Sequence, residues 1–420
     1  MTKLTAAILE QVDRNWGAQL DFIGDLVRTP SLRGNEAAAQ ERVAAEMSDF
    51  GLEPELWEID HEAISDSPGY SPADWSYVGR PNLSAAWRGS GKGGRSLIFN
   101  GHIDVVPAAP ESFWTRDPWG GEVSGGRMYG RGAADMKSGI AAMVYAVRAL
   151  REANATVRGD IHLQTVLEEE CTGNGTLAAL QRGPGADAAI IPEPFGHTML
   201  EAQVGVLWAR VRVRGAGAHV LGADKAVNAI VKAGRLIDAV RELELDVNGR
   251  TGRPPQFAEL QHPLNFNVGT IRGGEWPSSV PSECIFEVRL SAFPGADLAA
   301  AQSDFASYLL AVSQRDPWLA KNPPDIAFFG FLAEGCVLER DEPIFASLAQ
   351  AHRAVTGGAP EYLVSTATTD VRFFNLYHGI PATCYGPLGG ALHAPDEWVD
   401  LESVRAVTKV LALAALDWCA

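Results

Sequence analysis

The chain has 420 residues, more than a usual single domain, so two or three domains with ample core are expected. Its 52 acidic residues against 35 basic ones give a formal net charge of −17, a field that repels phosphate backbones and anionic membranes and argues against nucleic-acid or membrane partners. With 46% hydrophobic and 21% charged residues and no apolar stretch near the ~20 residues of a membrane span, the composition is that of a soluble globular protein, expected in the cytoplasm.

The opening "MTKLTAAILEQVDRNWG" is charged throughout and reads as the start of an amphipathic helix, not a signal peptide. Helical spacing follows at Leu20, Ile23, Leu26 and Val27 and again through "NEAAAQERVAAEMSDFG", with Gly51 as a C-cap. From about His61 to Pro81 the chain is rich in Asp, Ser, Pro and Gly and reads as an irregular loop. Strands are predicted at "LSAAWRG" and "SLIFNG". A long amphipathic helix follows Asp135, with Ile140, Met143, Val144, Val147 and Leu150 on one face, and further strands come at "DIHLQTVLE" and "DAAIIPE". This alternation predicts an α/β fold, a mostly parallel sheet covered by helices.

Near Val204 the texture changes. "VGVLWARVRVRGAGAHV" alternates as a strand, "ADKAVNAIVKAGRLIDAVREL" has helical period, and "FNVGTIRGGEWPSSVPSECIFEVRLSAFPG" reads as two strands around a polar loop. A helix at "DLAAAQSDFASYLLAVSQ" and a strand at "DIAFFGFL" complete an α+β unit, after which a helix around "PIFASLAQAHRAV" and a strand around "IPATCYG" resume the first pattern. The expected organisation is a discontinuous catalytic domain, residues 1–204 and 333–420, with residues 205–332 inserted.

Five acidic and histidine positions follow or flank these apolar runs: His102 in "GHIDVVP", Asp135 in "YGRGAADMKSG", Glu170 in "VLEEECTGNG", Glu193 in "AAIIPEP" and His393 in "GPLGGALHAPDEW". Ligands in open α/β sheets bind beyond the carboxyl ends of strands, so residues distant in sequence converge there. Together they are the right set to hold two zinc ions, with Glu169 beside them as a candidate general base. Asp104, two residues from His102 on an extended segment, points the same way and is placed to orient the imidazole; alone, such a pair reads as structural. Asp135 alone reads as a helix cap. The run Glu168-Glu169-Glu170 resists a bland reading, because adjacent carboxylates repel unless positive charge is near. Gly389 and Gly390 precede His393 in a loop able to bring backbone close to a ligand. The five cysteines are odd in number and lack CxxC pairs, which indicates neither a disulfide frame nor a thiolate metal site; Cys171, next to Glu170, reads as a passive buried thiol.

The ordered segments "GHIDVVP", "YGRGAADMKSG", "EEE", "EP" and "LHAPDE" resemble, over nearly the whole chain, the co-catalytic zinc aminoacylase and carboxypeptidase family that includes acetylornithine deacetylase, succinyl-diaminopimelate desuccinylase, aminoacylase-1 and glutamate carboxypeptidase. The resemblance implies that His102 and Glu193 hold one zinc, Glu170 and His393 the other, and Asp135 bridges them. It makes Asp104 the orienting aspartate and Glu169 the general acid and base. It makes the inserted unit a lid and dimerisation domain whose His219, in "GAGAHVLGADKAVNAI", reaches an active site, usually the partner's. Arg289, in "ECIFEVRL", matches an arginine that clamps a substrate carboxylate. Two departures fall at substrate contacts: Ser279 stands where relatives have an asparagine, and "TATTD", containing Thr368, stands where desuccinylase-like relatives have "GGTSD".

The function so implied is hydrolysis of the amide of a small N-acyl amino acid or related metabolite by a homodimer with two zinc ions per subunit. Cobalt or manganese are also compatible with these donors. Water activated by the metals loses its proton to Glu169, His219 helps stabilise the oxyanion, and Glu169 returns the proton to the leaving amine. A dipeptidase or exopeptidase with the same centre is the alternative among enzymes, and a catalytically silent metal-binding protein is the alternative of another class. The remaining histidines are assigned no role.

Overall fold

The computed structural model describes residues 2–91 and 93–420 and is a mixed α/β fold with two principal sheets. In chain order the strands that build them are β1 (Glu55–Glu58), β2 (Pro81–Trp87), β3 (Leu97–His102), β4 (Ile161–Val166), β5 (Ala188–Ile191), β6 (Gly205–Arg214), β7 (Asn267–Gly273), β8 (Glu283–Ala292), β9 (Asp325–Ala333) and β10 (Ala382–Cys384). The main sheet runs β1-β2-β4-β3-β5-β10, and the second runs β7-β8-β6-β9.

Strands β3, β4 and β5 are buried along their whole length. That is why they read as continuous apolar runs and not as alternating ones: helices cover both faces of a parallel sheet. The covering helices include α1 (Lys3–Arg28), α2 (Ala37–Asp49), α3 (Ser138–Glu152) and α4 (Asn174–Arg182). Helix α1 starts at the Thr2 hydroxyl, which accepts the Thr5 amide hydrogen, and buries Ile8, Val12, Phe22, Ile23, Leu26 and Val27 along one stripe. Helix α3 buries Ile140, Met143, Val144, Val147 and Leu150 as expected, but it also buries Ala141, Ala142, Tyr145 and Ala146, so it is enclosed on nearly every side and not on the single face that amphipathic spacing predicts.

Register is what positions the site. Leu97 of β3 lies opposite both Ile161 of β4 and Ala188 of β5, and His102 lies opposite Val166. All three strands run parallel, so their carboxyl ends arrive level and the residues just past them share one edge. Strands β1 and β2 are antiparallel additions on the other side of β4. The segment expected to be irregular contains a single helical turn, His61–Ile64, before β2 begins at Pro81.

The second sheet is antiparallel throughout. Its alternation is visible in β6: Leu207, Ala209, Val211 and Val213 are buried, while Trp208, Arg210 and Arg212 face the other way. The buried face packs with Phe286 and Val288 against α5 (Ala229–Gly249) and α6 (Leu298–Ser313), a core separate from that of the main sheet. The chain then returns to the first core through α7 (Pro343–Thr356), β10 and α8 (Leu401–Trp418). Among the described residues no helix is long and apolar enough to cross a membrane.

Candidate metal centre and substrate cavity

Five side chains from five segments meet at the level strand ends. His102 closes β3, Glu170 follows β4, and Glu193 follows β5. Asp135 sits in the turn Ala133–Lys137, entered through left-handed Gly132, and its own backbone there is extended, φ −110° and ψ 98°. His393 comes from the loop before α8 and adopts a left-handed backbone, φ 58°, which residues with a Cβ populate only when their surroundings hold them there.

Asp135 occupies the middle. One of its oxygens lies 3.1 Å from His102 Nε2, and the other lies 3.4 Å from His393 Nε2. Glu193 Oε1 is 3.9 Å from His102 Nε2, and Glu170 Oε1 is 3.1 Å from His393 Nε2. The donors of His102, Asp135 and Glu170 all fall within 4.8 Å of one another. A carboxylate with each oxygen turned to a different imidazole has the form of a bridge between two positions.

These groups fit divalent cations. His102 Nδ1–H donates to the Asp104 carbonyl at 2.9 Å, which directs the Nε2 lone pair into the cluster. Glu193 Oε1 is buried without a hydrogen-bond partner among the described residues. Among the described residues no lysine or arginine pairs with Asp135, Glu169, Glu170 or Glu193; their only cationic neighbours are the two histidines. Four buried or half-buried carboxylates facing only two imidazoles call for metal charge.

The titration behaviour follows from that crowding. Burial pushes Glu193 up to about 8, and burial also drives Glu169 well above the usual carboxylate range, aided by the charges of Glu193, Asp370 and Glu170. Burial opposes the charged form of His102, but the Asp135 hydrogen bond and the charges of Glu193, Glu169 and Asp104 hold it well above its ordinary value. The Glu170 charge holds His393 up at about 11. Asp135 is lowered despite its burial, by hydrogen bonds from both imidazoles.

Two of the expected contacts take a different form. Asp104 does not bond the His102 ring through its carboxylate, which lies 3.7 Å from Nδ1; the carboxylate instead accepts the amide hydrogens of Glu169 (3.3 Å) and Glu170 (3.2 Å). It fixes the turn that carries Glu169 and Glu170, and burial pushes it up to about 7. Glu168, first of the acidic run, turns away from the cluster through a left-handed backbone, φ 67°. Its carboxylate accepts from Tyr77 Oη (2.8 Å), Arg80 Nη1 (2.7 Å), Trp75 Nε1 and Thr172 Oγ1, pinning the loop before β2 beneath the site.

Glu397, the last residue of "LHAPDE", receives no role from the sequence, yet it holds the turn that carries Asp135. Fully buried, it accepts the amide hydrogens of Gly132 (3.1 Å), Ala134 (3.0 Å) and Asp135 (3.1 Å) and pairs with the guanidinium of Arg131. Four donors on one carboxylate lock the Asp135 turn. Gly389 packs onto the same turn: a Cβ there would stand 2.5 Å from Ala134 Cβ.

A cavity of about 370 Å³ opens onto Glu169, Glu170 and His393 and is lined further by Thr368, Arg289 and Trp208. The structure brings Arg289 and Thr368 to it and does not bring His219, Ser279, Gly389 or Gly390. His219 is exposed on a two-residue strand paired with Ser279–Val280, its Nδ1 accepting the Leu221 amide hydrogen. Ser279 lines a separate recess with Arg212 and Arg272, and Gly390 lies against the Trp398 ring.

The model of the peptidase family M20/M25/M40 matches residues 98–417. N-formyl-4-amino-5-aminomethyl-2-methylpyrimidine deformylase of Halalkalibacterium halodurans is 27% identical, covering 98% of this chain and 97% of its own. Succinyl-diaminopimelate desuccinylase of Methylocella silvestris is 29% identical, covering 94% of this chain and 96% of its own. Among solved structures, a di-peptidase of Saccharomyces cerevisiae superposes with a TM-score of 0.80 at 13% identity, covering 100% of this chain and 99% of that one.

Proposed function

The chain belongs to the peptidase family M20/M25/M40, and from that premise we propose that it is a metal-dependent deacylase hydrolysing the amide bond of a small N-acylated amino acid or related metabolite. The observation that carries this reading is Asp135, whose two oxygens face two different imidazoles, one of which, His393, lines a cavity together with Glu169 and Arg289. Both named relatives remove an acyl group from an amine. His102 and Glu193 would hold one ion and Glu170 and His393 the other, with Asp135 shared; imidazole and carboxylate donors suit zinc, with cobalt and manganese as substitutes. Bound there, two divalent ions supply Lewis-acid polarisation of a carbonyl and acidify water.

The chain's own groups do the rest. Glu169, a carboxyl held high by burial, is strong enough as a base to take a proton from water near neutral pH and weak enough to give it to the departing nitrogen. Asp104 holds Glu169 in place through the main chain. Arg289, whose guanidinium is bonded among the described residues to neutral oxygens only, offers charge to a substrate carboxylate. We take residues 205–332 as the inserted lid on a catalytic domain formed by 1–204 and 333–420. His219 and Ser279, remote from the cavity of their own chain, are then available to the site of a second copy in a homodimer.

The test is Glu169→Gln. The variant should bind two metal equivalents while kcat falls by about 10²–10⁴-fold. Near-normal turnover in a panel of N-formyl, N-acetyl and N-succinyl amino acids would remove Glu169 from the chemistry. Cleavage confined to dipeptides would favour the peptidase alternative.

A further inference from the structure

We infer that the substrate carries an aromatic ring on the amine side of the scissile amide, which makes the protein a deacylase of N-acylated aromatic α-amino acids. The inference rests on the deacylase reading of the same site and adds the substrate class.

The cavity wall facing the metal ligands comes from an irregularity in the second sheet. Phe328 of β9 pairs with Ala209 and Leu332 with Leu207, so Phe329, Gly330 and Phe331 together oppose Trp208 alone. A bulge of this kind pushes side chains out of the ladder and re-aims them. Here it packs two phenyl rings around one indole: Trp208 lies 5.7 Å, tilted, from Phe329 and 5.2 Å, edge to face, from Phe331. All three rings line the cavity that holds Glu169, Glu170 and His393. The bulge requires glycine at its centre, because Gly330 has φ +59° and a Cβ there would stand 2.6 Å from the indole.

The wall is fixed relative to the chemistry. Gly330 N–H donates to the Pro72 carbonyl at 2.8 Å, and Leu332 N–H donates to Ser71 Oγ at 3.1 Å. Ser71 is in turn held by the side chain of Asn174, in the first turn of α4 just beyond the acidic run. The Arg210 guanidinium lies 4.2 Å from the Phe329 ring centre and also neutralises Glu287 on the same face. A rigid aromatic surface inside a small-molecule cavity is suited to a flat apolar group.

Arg289 places the substrate's other end. It is the direct cross-strand partner of Trp208, so the two side chains stand on one face with Cβ atoms roughly 5 Å apart. Its guanidinium donates to the carbonyls of Asn265 and Thr366 and to the Ser291 hydroxyl, and among the described residues no carboxylate pairs with it. An N-acyl α-amino acid branches at one carbon into amide, carboxylate and side chain. With the carboxylate on Arg289 and the amide at Glu169, the side chain from that same carbon meets Trp208. A ring on the acyl group would sit across the amide, away from Arg289.

The zinc-loaded full chain should be assayed with N-acetyl-phenylalanine, N-acetyl-tryptophan, N-acetyl-alanine, N-benzoyl-alanine and N-acetyl-phenethylamine. The expected result is kcat/KM at least about tenfold higher for the first two than for the other three. Trp208→Ala, and the milder Phe331→Leu, should bring the phenylalanine-to-alanine ratio toward one. Calorimetric titration of Glu169→Gln with the two acetyl amino acids should show the same preference without turnover. Equal kcat/KM for phenylalanine and alanine, preference for the benzoyl compound, or an unchanged ratio in Trp208→Ala would overturn the inference while leaving the deacylase reading intact. Hydrolysis of none of these compounds, nor of the N-formyl and N-succinyl derivatives of phenylalanine and alanine, would instead overturn the deacylase reading, and the calorimetric preference would still report on the wall.

Discussion

Replacing Glu397 by glutamine should weaken both halves of the proposed metal centre at once, although Glu397 is not among its proposed ligands. One carboxylate oxygen accepts the amide hydrogens of Ala134 and Asp135, and the other accepts that of Gly132 and pairs with Arg131. Glutamine keeps one acceptor oxygen and sets an NH₂ group against donors on the other side. If the amide nitrogen faces Gly132, that donor and a buried guanidinium lose their partner; if it faces Ala134 and Asp135, two main-chain donors do. Each orphaned buried donor costs about 1–3 kcal/mol, and a buried charge without its counter-ion about 3–5. Either orientation therefore lowers stability by at least about 2 kcal/mol. Both orientations release a main-chain donor that locks the Asp135 turn, Gly132 N–H in one and Ala134 and Asp135 N–H in the other, so the proposed bridging carboxylate loosens, and zinc affinity should fall about 10–100-fold, as for other residues that orient ligands. The assay is competition titration of metal-stripped protein with zinc against a chelator, alongside urea unfolding of the stripped form. Two tight equivalents with an unchanged urea midpoint would refute the reasoning. Loss of one equivalent with the other untouched would refute the bridging role of Asp135.

Glu168→Gln should do the opposite: retain two metal equivalents by elemental analysis while unfolding free energy drops by about 3 kcal/mol, since Arg80 loses one of its two buried carboxylate partners. A missing metal equivalent would return Glu168 to the cluster. In chelated protein, Glu193 is raised from 4.5 to about 8 and His393 from 6.5 to about 11, so the folded chain binds more protons than the unfolded one. Their stabilisation is complete below those ordinary values and is lost as pH rises through 8 and then 11, so urea midpoints should fall with pH. Zinc displaces the same protons, so with zinc present the extra stabilisation should grow with pH; a flat difference between pH 6 and pH 9 would contradict the ligand assignment.

The acidic run shows where reading from sequence stops. Adjacent carboxylates after an apolar strand point to nearby positive charge, but they do not say that Glu168 takes its charge from Arg80 below the site while Glu170 faces His393 above it. That division depends on a left-handed backbone at Glu168, which local propensity disfavours and tertiary hydrogen bonds impose. Asp104 is similar. Its spacing from His102 was legible, whereas its preference for the amides of Glu169 and Glu170 arises from the next strand in the sheet.

The sequence by itself determined the α/β alternation, the change of texture near Val204 and the chemical types at the strand ends, because periodicity and residue chemistry are local properties. Convergence of His102, Glu170 and Glu193 follows almost directly from strand ends, since parallel strands in register bring their termini level. Only the tertiary structure decided that Glu397 holds the Asp135 turn from a separation of 262 residues. It alone set Trp208, Phe329 and Phe331 around the cavity and left His219 outside it. These outcomes turn on a strand register and a bulge, where shifting the pairing by a residue or two redirects every side chain and leaves the pattern of apolar and polar letters unchanged.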